Sequence, residues 1–100
     1  VASGDAQAPR QLEQLLAQLV AFIQLLRVQN IRKPPSMAES VDWARTLLLL
    51  HADALDEALV RDTLNVLLKR ETDIQEVQGT LGQLTQAALQ AAQQPARTTA

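Results

Sequence analysis

Leu12, Leu15, Leu16, Leu19, Val20, Ile23 and Leu26 recur at steps of three and four residues, which gathers them on one face of a helix. Gln11, Gln14, Gln18 and Gln24 take the other face, while Phe22, Leu25 and Val28 lie off the apolar stripe and widen it. A helix of that kind is expected to be buried between neighbours or to face an absent partner domain. A second helix is predicted from Ser36 to about His51, with Val41, Ala44, Leu47 and Leu48 inward and Trp43 and Leu50 on a flank. After a break near residues 52–55, Asp56 can cap a third helix. Leu59, Val60, Thr63, Leu64, Leu67 and Leu68 would face its core side, and Lys69 and Arg70 its last turn, where cations suit the helix dipole. Thr72-x-x-Gln75 reads as the capping box of a fourth helix carrying Ile74, Val77, Leu81, Leu84 and Ala88. Gly79 and Gly82 weaken that helix by about 1 kcal/mol each relative to Ala.

The sharpest local signal is Lys33-Pro34-Pro35-Ser36-Met37-Ala38-Glu39. Two consecutive prolines exclude helix before Ser36, and Ser36-x-x-Glu39 is a capping box in which each side chain satisfies a free backbone N–H. Residues 1–9, small and polar and ending in Pro9, have the composition of a linker, and residues 93–100 that of a disordered tail. Between them, residues 10–92 are expected to form one helical domain. Short connections make successive helices antiparallel, so the predicted fold is all-α, a small up-and-down bundle of about four helices.

Composition narrows the function. The 47% hydrophobic content is mostly Leu, Ala and Val, with Phe22 and Trp43 the only aromatics, and a chain of 100 residues can bury one modest core. A net charge of −2 with dispersed basic residues gives no electrostatic footprint for nucleic acid. The longest apolar runs, residues 47–50 and 19–23, fall far short of the roughly 20 residues that span a bilayer. No membrane or nucleic-acid partner is therefore expected, and the absence of cysteine is compatible with a cytoplasmic location. A start at Val, with no basic and apolar leader, suggests a fragment of a longer polypeptide.

Few residues suggest chemistry. His51 is the single histidine, and with Asp53 and Asp56 it sketches a metal site, but no second histidine stands at helical spacing and a helix C-terminus accounts for it. Glu39 with Asp42, and Asp53 with Asp56 and Glu57, are carboxylate groups that could do acid–base work. Each also has a structural role: Glu39 closes the capping box, Asp42 can pair with Arg45, and Asp56 caps. Ser36 has no neighbouring base, and Trp43 reads as a core or interface anchor. With three glycines and no G-x-x-x-x-G-K-[ST], the chain cannot cradle a nucleotide by itself and is not expected to be an enzyme alone. Arg27, Arg32 and Lys33 form a small basic group beside the prolines. It is either a solvated helix end or a contact to nucleotide phosphate or a neighbouring subunit.

The string from Lys33 to Arg45, with Asp42-Trp43-Ala44-Arg45, the leucines at 47–50 and Leu67-Leu68-Lys69-Arg70-Glu71-Thr72-Asp73-Ile74, resembles the C-terminal helical lid of MoxR-type AAA+ ATPases. The similarity covers roughly Leu12 to Val77. Within the family, the Lys-Pro-Pro-Ser and Asp-Trp-Ala-Arg elements are similar to the branch linked to carbon monoxide dehydrogenase maturation. The resemblance implies a lid that follows a nucleotide-binding domain, closes over ATP and Mg, and contacts ring neighbours. It implies chaperone-like maturation of a client, often beside a protein with a von Willebrand A domain. Arg32, Lys33, Pro34, Pro35 and Ser36 would then be a nucleotide-proximal loop. Many relatives carry Ser-Pro-Arg-Ala at this helix start, the arginine (sensor 2) reaching the γ-phosphate. The matching residues here are Ser36-Met37-Ala38-Glu39, so Ala38 stands where that arginine would be and Arg32, Lys33 and Arg45 are the cations at hand. The reading from another class is a free-standing helical-bundle adaptor that binds a partner helix in a groove.

Overall fold

The computed structural model describes the backbone of residues 2–93 and the side chains of residues 11–93. It contains five helices in this span: α1 (Ala2–Arg27), α2 (Met37–Leu49), α3 (Glu57–Leu67), α4 (Glu71–Gln78) and α5 (Leu81–Gln93). α1 packs along α5 and against α2, α2 against α3, and α3 against α5, which closes a cycle of four helices. The short α4 packs on α3 outside that cycle. The all-α bundle is as the periodicity predicts.

The core selects four α1 residues, Leu15, Leu19, Phe22 and Leu26, all buried at steps of three and four. Phe22 thus belongs to the inward face, while Leu12, Leu16 and Val20, expected inward, stay exposed. The buried line lies where α1 packs along α5 and, at Phe22, meets Trp43 of α2. Its ring centroid lies 5.5 Å from that of Phe22, with the planes tilted by 39°. Trp43 is therefore central rather than on a flank, and its rotation inward leaves Val41 and Leu48 exposed. The indole N–H donates to Thr63 Oγ1 at 2.8 Å, and the Thr63 hydroxyl donates to the Leu59 carbonyl at 2.9 Å. An enclosed tryptophan is tolerated because its one polar atom is satisfied. From α3, Val60, Leu64 and Leu67 complete the core, joined by Leu55, Leu68, Val77, Leu81, Leu84 and Ala88.

Helix boundaries depart from expectation at several places. α1 begins at Ala2, so most of the stretch expected as a linker is helical backbone. Its alanines favour helix. α3 stops at Leu67, before Lys69 and Arg70, because Leu68 adopts extended backbone (φ −114°, ψ 130°) and turns its side chain into the core. The expected fourth helix is two, α4 and α5, separated at Gly79 and Thr80, where the Thr80 and Leu84 N–H groups donate to Val77 and Thr80 carbonyls. Gly82 lies inside α5, where a Cβ would sit 3.0 Å from Glu57 Oε1. That atom is the end of the exposed Glu57 side chain, which pairs with Arg61. Gln93 ends α5, and the rest of the expected tail lies outside the described residues. No helix among the described residues is long and apolar enough to cross a membrane.

Candidate functional site: the connection between α1 and α2

Residues 28–36 leave α1 through turns in which the Val28 and Gln29 N–H groups donate to Leu25 and Leu26 carbonyls. Beyond Ile31, partly buried against the core, the backbone reaches Arg32 and Lys33, whose N–H groups both meet the Asp73 carboxylate. The distances are 2.8 Å from the Arg32 nitrogen to Oδ1 and 2.9 Å from the Lys33 nitrogen to Oδ2. Asp73 is only 2% exposed. A buried carboxylate is tolerable only with such partners, and here each oxygen has its own backbone donor. The Arg32 N–H is the largest influence holding its pKa below the ordinary 3.8. Burial opposes this, while the Lys33 N–H and then the Arg70 and Arg32 charges act with it.

Asp73 can reach across because of where α4 starts. Its N-cap is Arg70, with no side-chain cap, so Thr72 falls in the first turn rather than capping as expected. This puts Asp73 three residues past the cap. From there the carboxylate leaves its own helix end and serves the neighbouring loop.

A second tie lies further along. Arg27, at the end of α1, donates from Nη2 to the buried Pro35 carbonyl at 3.0 Å. One cation of the expected basic group is thereby engaged with backbone. Ser36 then starts α2 as predicted: Glu39 N–H donates to Ser36 Oγ at 3.2 Å, and Ser36 N–H to Glu39 Oε1 at 2.9 Å. That backbone donor holds the Glu39 pKa below its ordinary value, against desolvation; the Ser36 hydroxyl and the charges of Lys33 and Lys69 add to the lowering.

Of the five residues expected to form the site, Pro35 is buried and Arg32, Lys33, Pro34 and Ser36 are exposed. The structure brings them into one short surface loop held at both ends. Ala38 is exposed in the first turn of α2, and Arg45 lies exposed further along the same helix. The decisive residue that sequence reasoning passed over is Asp73. Asp73 stands among Lys69, Arg70, Glu71, Thr72, Gln75 and Glu76, so nothing in its sequence setting marks it out from the other polar residues of a helix start.

The other candidates have structural settings. His51 follows α2 with φ 57°, and its N–H and that of Ala52 donate to the Leu48 and Leu47 carbonyls, a Schellman closure of the helix. Asp56 Oδ1 accepts from the Leu59 N–H at 2.8 Å as an N-cap. Asp42 uses its carbonyl to accept from the Thr46 hydroxyl. Among the described residues the ion pair is Arg61 with Glu57, not Arg45 with Asp42. Among them, too, no three His, Cys, Asp or Glu residues are grouped so as to hold a metal ion.

Two grooves follow the α1–α2 seam. One is lined by Leu12, Leu15, Leu48 and His51, the other by Val20, Ile23, Arg27, Met37 and Ser40. The second reaches the start of α2 beside the candidate loop. No family model matches this sequence, and neither a curated protein nor a solved structure matches it.

Proposed function

We propose that this chain is the helical lid subdomain of a MoxR-like AAA+ ATPase, coupling ATP binding and hydrolysis in an upstream domain to chaperone-like work on a client protein. The observation that carries the reading is the apolar seam of α1 and α2. Leu12, Leu16, Val20, Met37, Val41 and Leu48 are all at least 40% exposed, and the grooves between the two helices are lined by several of them. An apolar surface of this kind on a small bundle marks a place for another protein surface. In the lid reading that surface belongs to the nucleotide-binding domain or a ring neighbour. The loop of Arg32, Lys33, Pro34, Pro35 and Ser36 lies at the end of the same two helices. ATP and Mg would be held by the upstream domain, in a cytoplasmic assembly that can include a von Willebrand A domain protein.

With Ala38 at the sensor 2 position, the cation facing the γ-phosphate must come from elsewhere, and Arg32 and Lys33 are exposed in the loop that leads into α2. A cation near the transferring phosphoryl group stabilises the charge that develops there. The same apolar seam also fits the second reading, an adaptor that receives a partner helix. The native polypeptide upstream of Val1 separates the two. A G-x-x-x-x-G-K-[ST] loop within a nucleotide-binding domain there supports the lid. A native product that starts close to Val1 sinks it and leaves the adaptor.

A further inference from the structure

We propose that the end of the bundle bearing Arg32, Lys33, Lys69 and Arg70 binds a phosphate chain, and that Asp73 is the positioning residue that assembles this site. The four cations come as two adjacent pairs from two connections, residues 28–36 and 68–70, far apart in sequence. Asp73 brings the connections together, since it stands in the first turn of the helix that Arg70 caps and holds the backbone of Arg32 and Lys33. The charges of Arg70 and Arg32 both act on Asp73, and those of Lys33 and Lys69 both act on Glu39. All four cationic residues are exposed, and the ion pair found among the described residues lies elsewhere, at Arg61 and Glu57.

Two of the nearby acids are engaged with backbone. Both oxygens of Asp73 accept from backbone N–H groups, and Glu39 accepts from the Ser36 N–H. Their charges offset part of the positive field, as does exposed Glu71. They do not occupy the hydrogen-bond donors of the cationic side chains. Two exposed guanidinium forks and two exposed ammonium groups suit a ligand with several anionic oxygens along a short chain, which a di- or triphosphate supplies. The lid reading enters only as the source of that chain, which would be the nucleotide of the upstream domain.

The test is a titration of the full 100-residue chain with tripolyphosphate, ATP and adenosine, followed by two-dimensional NMR. Saturable shifts confined to residues 30–36 and 68–73 with tripolyphosphate and ATP, and none with adenosine, are expected. ATP binding tighter than tripolyphosphate identifies a nucleotide as the source, and equal binding a free phosphate chain. Replacing Lys69→Ala with Arg70→Ala should weaken binding about tenfold or more, and added salt should weaken it further. Asp73→Asn should weaken binding similarly with all four cations still present, an effect that separates positioning from charge. Arg61→Ala should leave it unchanged. Absence of saturable shifts at low millimolar ligand, or equal loss in the Arg61 variant, overturns the proposal. Should Asp73→Asn fail to fold, the paired alanine variant, which changes only exposed side chains, still decides the phosphate site, and Asp73→Glu, which keeps the charge but displaces the carboxylate from the Arg32 and Lys33 N–H groups, decides positioning. Because the lid reading stands or falls on the upstream sequence, either idea can fail without the other.

Discussion

The connection from α1 to α2 (residues 28–36) and the one from α2 to α3 (residues 50–56) are similar in length, but they are held in place by different kinds of interaction. The second is closed mostly by its own residues. His51 takes the left-handed conformation that ends α2, and Asp56 caps α3. One tie comes from outside, the Leu55 N–H donating to Gln18 Oε1 at 2.9 Å. The first connection has a local signal at its end, the Ser36 and Glu39 capping box, but its middle depends on a carboxylate 40 and 41 positions away. Local closures set where helices stop. A long-range one makes the shape of a loop depend on the packing of another part of the bundle.

Asp73→Asn is expected to break this contrast most severely. An amide presents an N–H end where one backbone N–H now meets an oxygen, so two donors face each other in a buried place. The loss of stability should exceed that of any substitution in the second connection, as read by chemical denaturation. Its pH dependence follows from the lowered pKa. The unfolded group protonates near its ordinary 3.8 and the folded group only below it. The stability from ionised Asp73 is thus fully present above the unfolded value and lost as pH falls through the folded one. Acid titration of the wild-type chain should show this fall, with the lowered Glu39 adding to it, and the Asn variant should show a shallower one.

Gln18→Ala should cost about 1–2 kcal/mol by leaving the Leu55 N–H without its partner, measurable as a lower denaturation midpoint with unchanged slope. Asp56→Ala should cost about 1 kcal/mol, the usual loss for an N-cap. An Asp56 loss as large as that at Asp73 would erase the distinction between local and long-range closure. The smallest change runs the other way: His51→Gly should stabilise by about 0.5–1 kcal/mol, because glycine adopts a φ of 57° without the Cβ penalty.

How far the sequence could be read depended on the range of the forces involved. At Ser36 the capping box was legible because its donors and acceptors lie within four residues, and Asp56 for the same reason. The break at Gly79 and Thr80 was only half legible. Two glycines announced weakness, but the same pattern of Ile74, Val77, Leu81 and Leu84 fits one helix or two. The loop of Arg32, Lys33, Pro34, Pro35 and Ser36 was located by its prolines, whereas its anchors, Asp73 and the Arg27 contact to Pro35, were not. Asp73 shares the first turn of α4 with Glu71, and both read as dipole compensation until the chain that passes beside them is known.

By itself, the sequence determined an all-helical chain, the start of α2, the cap of α3 and a leucine-rich core, because propensity, capping and periodicity act within a few residues. The tertiary structure decided which side of α1 was buried. Packing along α5, with Phe22 against Trp43 whose indole N–H is on Thr63, buries Leu15 and Leu19 and leaves Leu12, Leu16 and Val20 facing out. It also decided that Asp73 would hold the loop at Arg32 and Lys33. Both outcomes depend on which surfaces meet across the bundle, and spacing along one helix carries no record of its neighbour.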